Sequence, residues 1–168
     1  MHFLITAGPT REYIDPVRFI SNASSGRMGY ALAEAAIEAG HKVTLVTTMS
    51  ERKIPDGVKA VSVISAANMF EAVKKYFKQC DCLIMAAAVA DYTPVKISKT
   101  KIKKEKLKIS LELEPTVDIL KWAGKEKNKK ILVGFALEDK NLRANAEKKL
   151  IEKNLDMIIV ILGLMENF

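Results

Sequence analysis

Ser24, Ser25 and Gly26 lie between an apolar strand, Phe3-Leu4-Ile5, and a helix of small apolar residues, Tyr30 to Ala39. The start of a helix leaves backbone N–H groups without intrahelical partners. At the carboxyl edge of a parallel sheet those groups converge on one point, which suits an anion. Capping of the helix by the serines explains the same residues without any ligand. Asn22, Arg18, Asp91 and Lys101 fall in the same set of loops, beside glycine turns and small residues that admit a ligand to the backbone. Phosphate handling is the chemistry most compatible with these types. A hydrolytic triad is excluded, because the two histidines are His2, at the start of a strand, and His41, in a turn.

The elements that would position these residues alternate between strand and helix. Phe3 to Thr6 reads as strand, Gly26 to Glu38 as helix and Lys42 to Thr48 as strand, with Gly40-His41 as the stop between them. Ala60 to Ile64 follows as strand, Ala66 to Gln79 as an amphipathic helix and Cys82 to Ala87 as a buried strand. Leu107 to Leu113 alternates with period two, which predicts a strand with one wet face. A short helix is expected from Thr116 or Val117, carrying Leu120 and Trp122. Ile131 to Phe135, Asn141 to Lys153 and Met157 to Leu162 complete the series as strand, helix and strand. Repeated βα units predict an α/β fold, a Rossmann-like doubly wound, mainly parallel sheet in three layers with helices on both faces. Such sheets bind ligands outside the carboxyl ends of their strands. There the loops Ala7 to Ser25, Thr47 to Pro55, Ala88 to Lys104 and Ala136 to Lys140 should meet.

The whole chain, 1–168, suits one domain, and the charged stretch 91–106 reads as a flap over the site, or else as a solvated lysine-rich excursion. A formal charge of +7 favours phosphorylated ligands or polyanions. Nucleic acid is not expected, because aromatics do not alternate with the lysines as a stacking platform needs. Cys80 and Cys82 have no neighbouring His or further Cys to finish a zinc site and are read as reduced structural thiols. No secretory signal is expected, and the apolar run Met157 to Met165 is too short to cross a bilayer, so the expected compartment is the cytoplasm. A nicotinamide-dependent oxidoreductase shares this architecture, yet only Gly26-x-x-Gly29 remains of its glycine fingerprint and strand two ends in Val46-Thr47-Thr48 without an acid. No Walker A loop is present.

The segments Ile5-Thr-Ala-Gly-Pro-Thr-Arg-Glu12, Asp15-Pro-Val-Arg-Phe-Ile-Ser-Asn22, Ser24-Ser-Gly-Arg-Met-Gly29, Ala87-Ala-Val-Ala-Asp-Tyr92, Lys101-Ile-Lys-Lys104 and Val133-Gly-Phe-Ala136 occur in an order spanning nearly the whole chain. In this they resemble phosphopantothenate-cysteine ligase, the synthetase half of the bacterial coenzyme A biosynthesis flavoprotein. The resemblance implies a ligase that joins 4'-phosphopantothenate to cysteine through an acyl-nucleotidyl intermediate, with CTP, or ATP as in eukaryotes, and Mg2+. A catalytically impaired nucleotide-binding homologue or a truncated fragment is the alternative, and an NAD(P)-dependent oxidoreductase the third reading.

By position, Lys101 matches the flap lysine that clamps the triphosphate, or is one solvated lysine among its neighbours. Asn22 matches the asparagine assigned to the acyl intermediate, or is a turn or capping residue. Arg18 matches an arginine near that intermediate, or pairs with Asp15 or Glu12. Gly8, Ser24, Ser25 and Gly26 would serve the phosphates. Ala87 and Ala88 would leave room for the nucleotide, or simply pack in a strand. Gly134, Phe135 and Ala136 would wall it and Lys149 would approach it from the next helix. Asp91 would face the base and ribose or hold magnesium through water; no protein-only metal cage is visible, and the metal ligands stay unassigned. Members usually continue past Val160 with an Asn-Asp segment, a glycine-rich loop and closing strands, whereas Ile161 to Phe168 follows here, so the last strands are expected to be missing. The resemblance further implies a homodimer, and a flavin-dependent decarboxylase as a separate protein.

Overall fold

A continuous apolar run such as Phe3-Leu4-Ile5 is stable as a strand only where both faces are covered, which places it at the centre of a parallel sheet. In the computed structural model that strand, β1 (His2–Ala7), lies between β4 (Lys42–Thr48) and β6 (Cys82–Met85), in parallel register with both. Leu4, Ile5 and Ala7 are fully buried. The structure describes residues 1–48, 52–104, 108–138 and 140–162.

The remaining elements are β2 (Arg11–Tyr13), β3 (Phe19–Ser21), α1 (Arg27–Glu38), β5 (Lys59–Val63), α2 (Ala66–Phe77), β7 (Tyr92–Pro94), β8 (Leu113–Pro115), α3 (Ile119–Lys125), β9 (Ile131–Glu138), α4 (Leu142–Glu152) and β10 (Met157–Leu162). The main sheet has six strands in the order β10-β9-β6-β1-β4-β5, all pairs parallel. From β1 the chain winds outward to β4 and β5, then α2 carries it across to β6 and the winding continues the other way. The reversal falls between β1 and β6, where a doubly wound sheet opens its binding crevice. This is the Rossmann-like α/β architecture that the alternating pattern predicted.

Packing divides between two apolar clusters. On one face α1 buries Tyr30 and Ala33 against Ile5, Val43 and Leu45. Its approach is very close: a Cβ on Gly29 would stand 2.5 Å from the Cβ of Ala7 and 2.8 Å from the carbonyl of Thr6. On the other face Met69, Val73 and Phe77, four residues apart along α2, pack on Leu4, Val46 and Leu83, together with Ile119 and Ala123 of α3 and Leu150 of α4. Trp122 meets the edge of Phe70 at 5.3 Å between ring centroids, joining α3 to α2. Ser65 and Asn68 form a reciprocal cap at the start of α2, and the buried Glu12 carboxylate accepts the N–H of Ala66 at 2.8 Å.

Several expectations are corrected. The predicted strand 107–113 is not found: residues 108–112 are irregular and pairing begins only at Leu113, where β8 meets β7 antiparallel. The alternation is real, but Ile109, Leu111 and Leu113 are all exposed, and without a covering layer or a long partner a period-two pattern makes no strand. Residue 107 lies outside the described residues. The stretch read as an irregular flap therefore starts as one arm of a β-ribbon. The short helix begins at Ile119 rather than near Thr116, because Thr116 is held elsewhere and Asp118 supplies the cap, accepting the N–H of Lys121 at 2.9 Å. The β2–β3 hairpin inside the first long loop was not anticipated.

Candidate active site at the sheet reversal

β1 ends at Ala7, and the chain turns at Gly8 with φ +82°. A Cβ there would stand 2.2 Å from the hydroxyl of Thr48, so only glycine fits. The carbonyl of Gly8 accepts the N–H of Ala88 at 3.1 Å, and the N–H of Thr10 donates to the carbonyl of Ala88 at 3.2 Å. Thr10 is fully buried and its hydroxyl accepts the N–H of Ala90 at 2.9 Å. The loops after β1 and β6 are thereby joined into a short ladder at the point where the winding reverses. Ala88, expected to leave room for a nucleotide or to pack in a strand, does not line the neighbouring cleft; its backbone is part of this ladder.

The carboxamide of Asn22 donates to the carbonyl of Val89 at 3.2 Å, which ties the first loop to the segment before Asp91. Asn22 does not cap α1. The residue in that position is Gly26, at φ 71°, without a side-chain bond of its own. Ser24 Oγ accepts the N–H of Gly26 at 3.3 Å and Ser25 Oγ that of Arg27 at 3.5 Å, so both serines sit at the helix start as either reading of them required. A Cβ on Gly26 would stand 3.0 Å from the backbone of Gly8. The two turns therefore touch, and they bring the start of α1 against the end of β1.

Beside this ladder is a cleft of about 360 Å3. Ala87, Asp91, Phe135 and Lys149, all expected from the sequence, line it together. Met85, Leu120 and Phe135 give it apolar wall, suited to a flat base, and Lys149 and Lys153 bring cationic groups from α4 and its C-terminal end. Gly134 and Ala136 do not line it. A Cβ on Gly134 would come within 2.9 Å of Leu120 and of Leu155, so this glycine admits the helix layer close to β9, and Ala136 is buried.

Sequence reasoning missed Asp118 and Lys153, which line the same cleft and pair at 2.9 Å between Nζ and Oδ2. Burial pushes the Asp118 carboxyl up, but the N–H of Lys121 and the ammonium of Lys153 outweigh it and hold the group below the usual carboxylate value of 3.8. Thr116 was missed too. Its hydroxyl donates to the carbonyl of Ala90 at 2.6 Å and its N–H to that of Asp91 at 2.9 Å, so it fixes the turn that presents Asp91. Spacing gave no signal for these residues, since Thr116 and Asp118 before a helix read as ordinary caps and Lys153 at the end of α4 as a solvated lysine.

Arg18 and Lys101 lie apart from the lining of the cleft. The guanidinium of Arg18 pairs with Asp15, 3.4 Å from Nε to Oδ2, and its Nη2 donates to the carbonyl of Ile102, next to Lys101. Of the partners considered for Arg18, Asp15 is the one found; Glu12 instead holds α2. The lysine itself is exposed. Among the described residues no group of His, Cys, Asp and Glu gathers to hold a metal, and no helix is long and apolar enough to cross a membrane. A magnesium ion needs few protein ligands, and of the two carboxylates lining the cleft Asp118 is paired with Lys153, so Asp91 is the one that would fit that demand.

Residues 1–162 match the family described as the DNA/pantothenate metabolism flavoprotein C-terminal domain. The chain belongs to this family. Among its relatives is the coenzyme A biosynthesis bifunctional protein CoaBC of Bacillus subtilis, 50% identical over 159 residues, a match covering 94% of this chain and 39% of that protein. A cysteine/cysteine sulfinic acid decarboxylase from an unknown prokaryotic organism is 51% identical over 158 residues, covering 93% of this chain and 44% of that one. The chain thus spans less than half the length of these curated relatives. The crystal structure of the C-terminal domain of a CoaBC protein superposes with a TM-score of 0.85 at 48% identity, over 95% of this chain and 76% of that one. Within this flavoprotein domain family, the ladder between Gly8 and Ala88 and the cleft beside it are the candidate active site.

Proposed function

We propose that this chain is the phosphopantothenate-cysteine ligase domain of coenzyme A biosynthesis. The observation that carries the reading is the convergence, in a member of this family, of Ala87, Asp91, Phe135 and Lys149 on one cleft that is also lined by Val89, whose carbonyl accepts the Asn22 amide. The substrate carboxylate attacks the α-phosphorus of the nucleotide; a new P–O bond forms, the bond to the β-phosphate breaks and pyrophosphate leaves. The cysteine amine then attacks the acyl carbon, expels the nucleoside monophosphate and loses a proton.

Each residue has a role that its chemistry permits. Lys101 supplies positive charge as the first transition state gathers negative charge on the triphosphate. The Asn22 amide orients the acyl-phosphate oxygens for the amine, and Arg18 has N–H groups suited to the same intermediate. Gly8, Ser24, Ser25 and Gly26 border the phosphates with backbone and hydroxyl donors. Phe135 and Lys149 serve base and phosphate in the cleft. Bound magnesium would neutralise phosphate charge, with Asp91 holding it through water. We further propose CTP over ATP, in line with the bacterial relatives, a homodimer, a cytoplasmic setting and a flavin-dependent decarboxylase as the source of the companion activity.

The test is incubation with magnesium and 4'-phosphopantothenate, with CTP or ATP, and with or without cysteine. Pyrophosphate release that requires phosphopantothenate, and the ligated product only when cysteine is present, is the expected result. Nucleotide turnover indifferent to phosphopantothenate would overturn the reading.

A further inference from the structure

The buried carboxylate of Asp15 does more than its own turn requires. Oδ1 accepts the N–H groups of Val17 and Arg18, both at 2.8 Å, which closes a local Asx-type turn that Asn would close equally well. Oδ2 serves the flap: it accepts the N–H of Ile102 at 3.1 Å and faces Arg18 Nε. Arg18 in turn donates to the carbonyl of Ile102. Both peptide groups of Ile102 are gripped, and one of them is the bond that joins it to Lys101. A further tie, the N–H of Ser98 to the carbonyl of Ile14 at 2.9 Å, holds the same arm a few residues upstream. The Asp15 carboxyl is pushed up by burial, yet the backbone donors Val17, Ile102 and Arg18 and the guanidinium hold it below 3.8, so it stays charged under working conditions.

We propose that Asp15 is the positioning residue for Lys101: with Arg18 it clasps the lysine-bearing arm at Ile102 and so sets where that ammonium stands during nucleotide activation. This rests on the ligase reading. It assigns Asp15 to the first chemical step and not to the second, because amine attack does not need the arm lysine.

Asp15→Asn is the selective variant. It keeps the Oδ1 acceptor for the turn and replaces the Oδ2 acceptor with an NH2 that opposes the N–H of Ile102. Misplacing a catalytic group by about 1 Å costs on the order of 100-fold, and that is the loss expected in phosphopantothenate-dependent pyrophosphate release at saturating CTP. Cysteine capture of separately prepared acyl-cytidylate should stay near the wild-type rate. Because Asp15 acts through Lys101, the double variant with Lys101→Ala should be no slower than Lys101→Ala alone. Equal loss of both half-reactions, or losses that multiply in the double variant, would overturn the assignment.

Two controls keep the outcomes separable. Ile102→Pro deletes the clasped N–H without touching buried Asp15, and should reproduce the selective loss if Asp15→Asn fails to fold. Amide hydrogen exchange over 96–104, read without substrates, should quicken in Asp15→Asn and not in Lys101→Ala; unchanged exchange would sink the clasp. Wild-type protein that forms no acyl-nucleotide with CTP or ATP would sink the ligase reading instead, with the exchange result still deciding whether the clasp exists.

Discussion

Gly8→Ala should be among the most damaging methyl additions to this protein, and Thr48 should be the reason. The position is left-handed, which costs a residue with a Cβ roughly 1–2 kcal/mol. The new methyl would stand 2.2 Å from Thr48 Oγ1, and overpacking of this kind adds about 1–3 kcal/mol. Taking about 3 kcal/mol in all, and about 2–4 °C per kcal/mol for a chain of this size, the melting temperature should fall by about 6–12 °C. Gly40→Ala separates the contributions. Gly40 has φ +77° and nothing within 4 Å of a Cβ, so it carries the backbone cost alone, roughly 1–2 kcal/mol. Removing the obstacle should leave the same backbone cost alone: after Thr48→Ala the nearest atom to the new methyl is the Cβ of residue 48 at 3.5 Å, an ordinary contact. The Thr48 hydroxyl is buried and has no hydrogen-bond partner among the described residues, so its deletion leaves no orphaned group behind. Urea and thermal unfolding of Gly8→Ala, Thr48→Ala, their double variant and Gly40→Ala would measure this. If Gly8→Ala is as mild as Gly40→Ala, or if Thr48→Ala does not relieve it, the steric account of the turn is wrong.

Lys101→Ala should lower phosphopantothenate-dependent pyrophosphate release on the order of 100-fold, as loss of a transition-state charge partner does, with thermal stability unchanged; retained release would remove the lysine from the mechanism. Asn22→Asp should let the acyl-nucleotide accumulate, detectable by mass spectrometry, and its absence while wild type turns over would refute the role of Asn22. Acid stability follows from Asp15, Asp118 and Asp156, all held below 3.8. For Asp156 burial works against this, but the Lys127 ammonium at 2.8 Å and the N–H of Leu132 at 2.7 Å prevail. A lowered folded pKa stabilises above the unfolded value and loses that contribution as pH falls through the folded one, so urea midpoints should be flat from neutrality to about pH 5 and drop below about pH 4. Asp156→Asn should make that drop shallower. Cys80 and Cys82 are buried and both thiols are pushed up to about 11, chiefly by desolvation. Iodoacetamide at pH 8 should modify neither in native protein and both in denaturant; rapid native labelling would contradict their burial.

Periodicity and composition by themselves determined the alternation of strand and helix, the parallel sheet and the edge at which a ligand would sit. Those features follow from local rules, since a buried strand must be apolar on both faces and a surface helix must show an apolar stripe, as Met69, Val73 and Phe77 do. The loop residues Gly8, Asn22, Ser24 to Gly26 and Asp91 could be singled out as candidates because their types stand out between regular elements, whereas Ala87 was named through the family resemblance. Strand 107–113 was misread for the opposite reason: alternation reports a face that could be buried, and only the fold decides whether anything covers it. The partners of Asp15, Thr10, Thr116, Asp118 and Lys153 lay beyond the sequence. A carboxylate that clasps a peptide 87 positions away, as Asp15 does with Ile102, has no local pattern to announce it. Its hydrogen bond exists only after the reversal between β1 and β6 has brought two distant loops side by side. Tertiary structure alone decided that juxtaposition, because the cost of closing such long loops is met by burial of the whole core and not by the residues that meet.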